Sequence, residues 1–207
     1  MDALSDVLRA SRLTGGVFLH AEFSAPWCMV GQLAPELCTP FMGPAPHLVC
    51  YHYVVEGRMR VRTDDNAPID LVAGDLVLLP RNDRHLLGSD LTVRPVEGAG
   101  IICPPNDGGL FTIRHGGGGE TTRLICGFLG CEEAAKNPVI AALPSAFRLS
   151  VEDAGAAEWI RSTFQFAAGE VETGQPGSAT VLAKLSELLF VEAVRRYLDT
   201  LPAEQTG

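Results

Sequence analysis

Between Gly16 and about Pro144 the chain alternates short apolar runs with Gly, Pro, Asn and Asp. The runs are VFLHAEF, HLVCYHYVVEG, RMRVRT, IDLVAGDLVLLP, HLLG, GLFTIRHG and TTRLICGFL. Runs of this length, closely punctuated, predict the strands of an antiparallel sandwich or barrel. Asp64-Asp65-Asn66 reads as one turn between strands and Gly116–Gly119 as another. Ahead of the strands, Asp2 caps a short helix that carries Leu4, Val7 and Leu8 on one face, and Gly15-Gly16 stops it.

After Pro144 the period changes. Ser150 and Asp153 resemble a capping box, opening a helix through Ala157, Trp159, Ile160, Phe164 and Ala167. Gly174-Gln175-Pro176-Gly177 breaks it. Ser178 then caps a last helix from Ala179 to about Leu198, whose apolar positions are wider than one stripe. One face can cover the barrel. For the surplus a second copy of the chain is the simplest partner, through Leu182, Leu185 and Leu189, with an excess of surface leucines as the alternative. The expected organisation is a barrel with its N-terminal helix over residues 1–145, a helical extension over 146–200, and the start of a linker over 201–207.

Composition narrows the functions. The chain has 207 residues, 46% hydrophobic and 20% charged, which suits one globular domain with a real core. Its formal net charge is −9, and it shows no basic face of the kind that grips DNA. Arg58, Arg60, Arg62, Arg195 and Arg196 read as solvated positions of a strand and a helix. No apolar run is long enough to cross a membrane, and the N-terminus lacks a signal-peptide pattern, so the expected location is the cytoplasm. The six cysteines, at 28, 38, 50, 103, 126 and 131, form no CxxC pair and read mostly as small buried hydrophobes.

Two segments carry further meaning: YHYVVEG (51–57), followed by RMRVR, and GDLVLLP (74–80), followed by His85. Gly57 and Gly74-Asp75 suit tight turns, LVLLP suits a strand buried on both faces, and Pro80 ends it. Together they resemble the two motifs of the cupins. With LSDVLRASRLTGGVF, SAPW (24–27), RHGGGGET, TRLICGFL and the late helix leading to VRRYLD, the ordered set resembles the cupin domain at the front of AraC-family transcription regulators. The resemblance implies a double-stranded β-helix, or jelly-roll barrel, mainly β, with helices packed after it. It also implies a non-enzymatic module that binds a small effector and forms a homodimer. DNA would be bound only through a C-terminal helix-turn-helix half that this chain lacks.

Enzymatic cupins hold a metal with histidines and a glutamate from the first motif and a histidine from the second. His85 falls on the last of these positions, Cys50 on that of the glutamate, and His47 is displaced by about one from a histidine position. His52 shares the strand face of Cys50. Cys50, His52 and His85 could therefore make a soft site, favouring zinc over non-haem iron; the alternative is that the histidines are hydrogen-bonded pocket groups and Cys50 is packing. No cofactor is certain; a divalent metal such as zinc is the candidate. The effector pocket is expected among Trp27, Tyr51, His52, Tyr53 and His85, with the inward parity of 51–53 left open and Phe41 a further aromatic candidate. The competing function is a metal-dependent cupin enzyme of dioxygenase or isomerase type, against which the missing carboxylate argues. Gly116–Gly119 lacks the residues of a phosphate loop, and there is no GxSxG nucleophile motif. Glu132-Glu133 and Asp64-Asp65 read as surface acids.

Overall fold

The computed structural model describes residues 13–63, 66–104, 111–131, 137–149, 158–159, 162–164, 166 and 177–201. Eleven strands form two sheets: β1 Thr14–Ser24, β2 Cys28–Gly31, β3 His47–Glu56, β4 Arg58–Thr63, β5 Ile69–Val72, β6 Leu76–Leu79, β7 His85–Gly88, β8 Val96–Glu97, β9 Phe111–Gly116, β10 Thr121–Cys131 and β11 Phe147–Leu149. The larger sheet has the order β11-β6-β3-β10-β1-β9 and the smaller β5-β4-β7-β2-β8. Pairing is antiparallel except at β1/β9 and β2/β8. This is the expected jelly-roll barrel. Helices with described bounds accompany it: α1 Pro35–Met42, α2 Pro138–Ala142 and α3 Ser178–Thr200.

The larger sheet is buried on both faces, and side-chain alternation sorts its residues. Val54 of β3, Val77 of β6, Leu124 and Cys126 of β10, and Leu19, Ala21 and Phe23 of β1 point into the barrel, where they meet Met29, Met59, Val61, Leu71 and Leu87 of the smaller sheet. Val49, Tyr51 and Tyr53, with Leu76, Leu78, Ile125 and Leu129, face outward and join Phe164 and the α3 residues Leu189, Phe190, Ala193 and Val194 in a second core. Two cores on one sheet explain why HLVCYHYV reads as a nearly continuous apolar run.

Local chemistry sets the turns. Gly57 has φ +81 and Gly74 φ +94, the left-handed region that glycine enters without cost. At Gly57 a Cβ would also press on the Thr121 carbonyl oxygen. The Gly74-Asp75 turn is clamped to β3 by hydrogen bonds from Gly74 N to Val54 O (2.6 Å) and from Val54 N to Asp75 O (2.9 Å). The Asp75 carboxylate is fully buried, accepts from Val72 N (2.8 Å) and pairs with Arg148 of β11 at 3.1 Å.

Several details differ from the sequence reading. α1 sits inside the segment read as strands and turns; Pro35 at its first turn supplies a pre-set φ, and Gly43 at φ +77 ends it. Ser178 is the first residue of α3 and not its cap, because Gly177 turns the chain in with φ +94. Phe147–Leu149, assigned to the helical extension, add an edge strand to the larger sheet beside β6. Leu189 packs inward on the barrel and not outward; Leu188 is exposed, and Leu185 is partly buried against the same core. The side chain of Leu182 lies outside the described residues, as do the first helix, Asp64-Asp65, Glu132-Glu133, the side chain of Phe41 and the tail. Of the helix read after Ser150, only 158–159, 162–164 and 166 are described, and these are helical.

The seam between α3 and the sheet generates a direct test. Phe190 is 1% exposed and Leu188 49%. Phe190→Ala should lower the unfolding free energy by roughly 3–5 kcal/mol, and Leu188→Ala by under about 1 kcal/mol. Chemical denaturation of the two variants measures both.

Candidate functional site

Three strands of the barrel wall converge their inward residues on one polar cluster in an apolar chamber. Cys50 and His52 come from β3, Cys126 from β10 directly opposite His52, and His85 from the start of β7 in the facing sheet. The chamber is lined by Leu19, Ala21, Phe23, Met29, Leu87 and Phe128 among others, and Gln32 and Leu33 line it as well. Gly31, the strand partner of His85, makes the approach of that imidazole possible, since a Cβ there would collide with the ring. The free space is about 30 Å³. That is the room of about one water molecule, against roughly 300–1,000 Å³ for a site that takes a drug-sized ligand.

The hydrogen bonds run as a chain. His85 Nδ1 lies 2.8 Å from the Asp83 carbonyl oxygen, which can only accept, so this nitrogen carries the proton and Nε2 a lone pair. His52 Nε2 is 3.0 Å from His85 Nε2, so His52 donates from Nε2. His52 Nδ1 is then an acceptor, and Cys126 Sγ at 2.9 Å donates its thiol hydrogen. Cys50 Sγ lies 3.5 Å from His52 Nε2. All four ring nitrogens of the two histidines are thus turned on another member or on the backbone, as burial requires, and Cys50 can only accept from His52 Nε2.

The electrostatics follow from burial. Burial pushes the proton affinity of His52 well below the ordinary histidine range, and the neighbouring His85 lowers it further. His85 is lowered by burial too, partly offset by the Asp83 carbonyl. Burial raises the Cys50 thiol, with Cys126 and Cys38 adding to it, and raises Cys126 as well. The cluster is therefore neutral at neutral pH. Thiols held protonated are poor nucleophiles, so nucleophilic chemistry has no support here. Cys50, His52 and His85 bring one ligand atom each to within 4.8 Å of one another, a group that could hold a metal ion. Among the described residues no carboxylate belongs to it.

The parity left open by the sequence is now decided: His52 points into the chamber. Tyr51 and Tyr53 lie on the opposite face against α3 and Phe164, with Tyr53 and Phe164 stacked at 4.2 Å. The Tyr51 hydroxyl reaches Ser186 of α3 at 3.2 Å, and burial raises its proton affinity. It can lie there because Gly127 opposite has no side chain; a Cβ would collide with the phenol. Trp27 is fully buried in the barrel core, stacked on Phe23 at 3.9 Å, and does not line the chamber. His47 stays apart from the cluster, hydrogen-bonded to the Pro80 carbonyl at 2.8 Å. Cys126 belongs to the site but read in sequence only as a buried hydrophobe; its place depends on the β3/β10 register, which no local signal reveals.

Burial of two neutral imidazoles has a pH consequence. Their proton affinity is depressed in the folded chain, so the contribution they make is present above the unfolded histidine pKa of about 6.5 and is lost as pH falls below it. In chelator-treated protein each should add a slope of up to about 1.4 kcal/mol per pH unit below that point. Denaturation midpoints at mildly acidic and neutral pH should converge in His85→Gln relative to the parent chain.

Comparison with known proteins places the chain in a family. The chain is 26% identical over 211 residues to an AraC-like transcription regulator of Streptomyces antibioticus, across 100% of this chain and 63% of that protein. It is 23% identical over 218 residues to the HTH-type transcriptional regulator AlkR of Acinetobacter baylyi, across 97% of this chain and 62% of AlkR. The chain thus spans a little under two thirds of the length of these relatives. Among solved structures, unsaturated fatty acid bound wild-type ToxT from Vibrio cholerae aligns with a TM-score of 0.40 at 10% identity, over 86% of this chain and 53% of that one. No helix among the described residues is long and apolar enough to cross a membrane. A cupin family model matches residues 2–199, and the chain belongs to that family.

Proposed function

We propose that the chain is the ligand-sensing module of a longer AraC-like transcription regulator, with DNA contacted by a segment beyond it. The observation that carries this reading is the two-faced strand β3. His52 faces the chamber, while the adjacent Tyr51 is hydrogen-bonded to Ser186 on α3, so a ligand that repositions one side chain bears on the other. Such a ligand acts only through a difference in affinity between two arrangements of the strand and helix. The apolar lining favours a small, weakly polar effector, and the narrow space means that the chamber must widen to admit an organic molecule. In the same reading two copies associate through the face of α3 that the barrel leaves free, where Leu188 stands exposed.

The alternative of a metal-dependent enzyme has less support. The cluster offers no carboxylate among the described residues to move a proton, and the proteins it resembles are named as regulators. We therefore take the module to be non-enzymatic.

The test is thermal denaturation of the purified chain against a panel of small organic acids, alcohols and aromatic compounds. A true effector present at about a hundred times its Kd should raise stability by about 2.7 kcal/mol. For a domain of this size that corresponds to roughly 5–10 °C in Tm. Ala21→Val, which adds bulk to the chamber wall, should abolish the shift. A panel that moves no Tm would overturn the sensor reading and leave association between copies as the module's role.

A further inference from the structure

We propose that Cys50, His52 and His85 form a binding site for a thiophilic divalent cation, zinc first, and that Cys126 is a positioning residue whose sulfur holds the His52 proton on Nδ1 once the ion takes Nε2. The inference goes beyond the sensor reading and is tested apart from it, since it concerns what the cluster binds and not whether the chain regulates a gene.

The geometry is close to that of a coordinated ion. Zinc bonds of about 2.0–2.1 Å to nitrogen and about 2.3 Å to sulfur, at tetrahedral angles, put two nitrogens about 3.4 Å apart and a nitrogen and sulfur about 3.6 Å apart. Here His52 Nε2 and His85 Nε2 are 3.0 Å apart, and Cys50 Sγ and His52 Nε2 3.5 Å. All three ligand atoms fall within 4.8 Å of one another, so the remaining edge needs to close by about 1.2 Å at most to match the ideal nitrogen–sulfur separation. The free space beside them, about 30 Å³, suits a single ion with one water as the fourth ligand.

The donor set selects the ion. One thiol and two imidazoles without a carboxylate are a poor match for magnesium, calcium or manganese and a good one for zinc. This also separates the cluster from the carboxylate-containing metal centre of the enzymatic cupins: Cys50 occupies the carboxylate position and makes the site softer. A thiol buried and protonated in this way is inert toward electrophiles, but a thiophilic cation can displace its proton.

The exchange balances. Before binding, Cys50 carries its thiol hydrogen and His52 is protonated on Nε2, with Cys126 donating to Nδ1. On binding, two nitrogen–zinc bonds and one sulfur–zinc bond form. Cys50 releases one proton to solvent, and the His52 proton moves from Nε2 to Nδ1, where the Cys126 sulfur accepts it after its own hydrogen rotates away. His85 needs no change, because the Asp83 carbonyl already holds its proton on Nδ1. One proton leaves per ion bound, and the site changes from neutral to a charge of +1. Second-shell acceptors that hold the far nitrogen of a ligating histidine serve this purpose generally.

The test begins with the chain stripped by a chelator and titrated with cobalt(II), then with zinc. We expect one ion per chain, a thiolate-to-cobalt charge-transfer band with the intense visible bands of tetrahedral cobalt, and loss of both on adding zinc. Cys50→Ser should remove the charge-transfer band and weaken zinc binding by about 100-fold or more. Cys126→Ala should keep that band while weakening zinc by about 10–100-fold, and Cys126→Ser, which preserves an acceptor, should restore most of the loss. Cys28→Ser, a buried thiol outside the cluster, should change neither. Absence of the charge-transfer band in the parent chain, or its persistence in Cys50→Ser, overturns the site; a Cys126→Ala variant that binds zinc as tightly as the parent overturns the positioning role. If Cys50→Ser does not fold, X-ray absorption on the parent chain with one equivalent of zinc decides: a sulfur plus nitrogen shell supports the site, and a shell of light atoms alone removes it.

Discussion

A β-strand sends successive side chains to opposite faces, and β3 must bury both of them. Cys50, His52 and Val54 go to the barrel interior; Val49, Tyr51 and Tyr53 go to the seam with α3. Much of the molecule is arranged around that double demand. Strands β6 and β10 flank β3 and divide their own residues the same way, Val77 and Cys126 inward, Leu78 and Ile125 outward. The smaller sheet closes one side and α3 the other. A shift of one residue in register would exchange the phenols with the imidazole and unmake both cores.

Placing two imidazoles and two thiols in an apolar barrel costs solvation free energy that a hydrocarbon core would not lose. The arrangement is tolerated because the groups satisfy one another: thiol to imidazole, imidazole to imidazole, imidazole to the Asp83 carbonyl. Such a chain has few equivalent arrangements. Moving the proton on His52 from one nitrogen to the other requires Cys126 to change from donor to acceptor, and a sulfur can do both. The same order is imposed on the outer face, where Gly127 leaves the space for Tyr51 to reach Ser186. A hydrogen-bonded chain on the inner face and the Tyr51–Ser186 contact on the outer one sit inside otherwise apolar packing.

How much of this was legible in the sequence depends on the range of the interaction. The strands around YHYVVEG and GDLVLLP, the turns at Gly57 and Gly74, and the long last helix follow from local alternation and glycine geometry, and each is present. A meeting of Cys50, His52 and His85 was one of two readings that motif spacing left open, and the structure brings the three together. What was hidden is long-range. A strand buried on both faces has no polar side to mark its parity, so the choice between His52 and the flanking tyrosines had to await the register of β3 against β10 and β6. Cys126 was indistinguishable from the other buried cysteines until that register placed it opposite His52. α1 lay concealed in a Pro-rich stretch whose eight residues are too few to show a helical period. Leu189 could not be separated from Leu188 while every residue from Leu188 to Val191 is apolar.

The size of the chamber bears on how a sensor of this kind could work. Space for about one water cannot accept a metabolite without a change in the wall, and the strand neighbour of the wall residue His52 is already linked to the helix. If the chamber widens at β3, the strand's outward residues must move with it, since a pleated backbone carries both faces together. Tyr51 is the outward neighbour of His52, its hydroxyl is fixed to α3, and its ring rests in the gap over Gly127. A close-packed seam resists continuous deformation, so such a displacement favours a repacking of Tyr51, Tyr53 and Phe164 against α3 over a gradual strain. The tightness of the chamber is in this sense the source of the coupling: a roomy pocket could fill without disturbing its wall, whereas this one cannot.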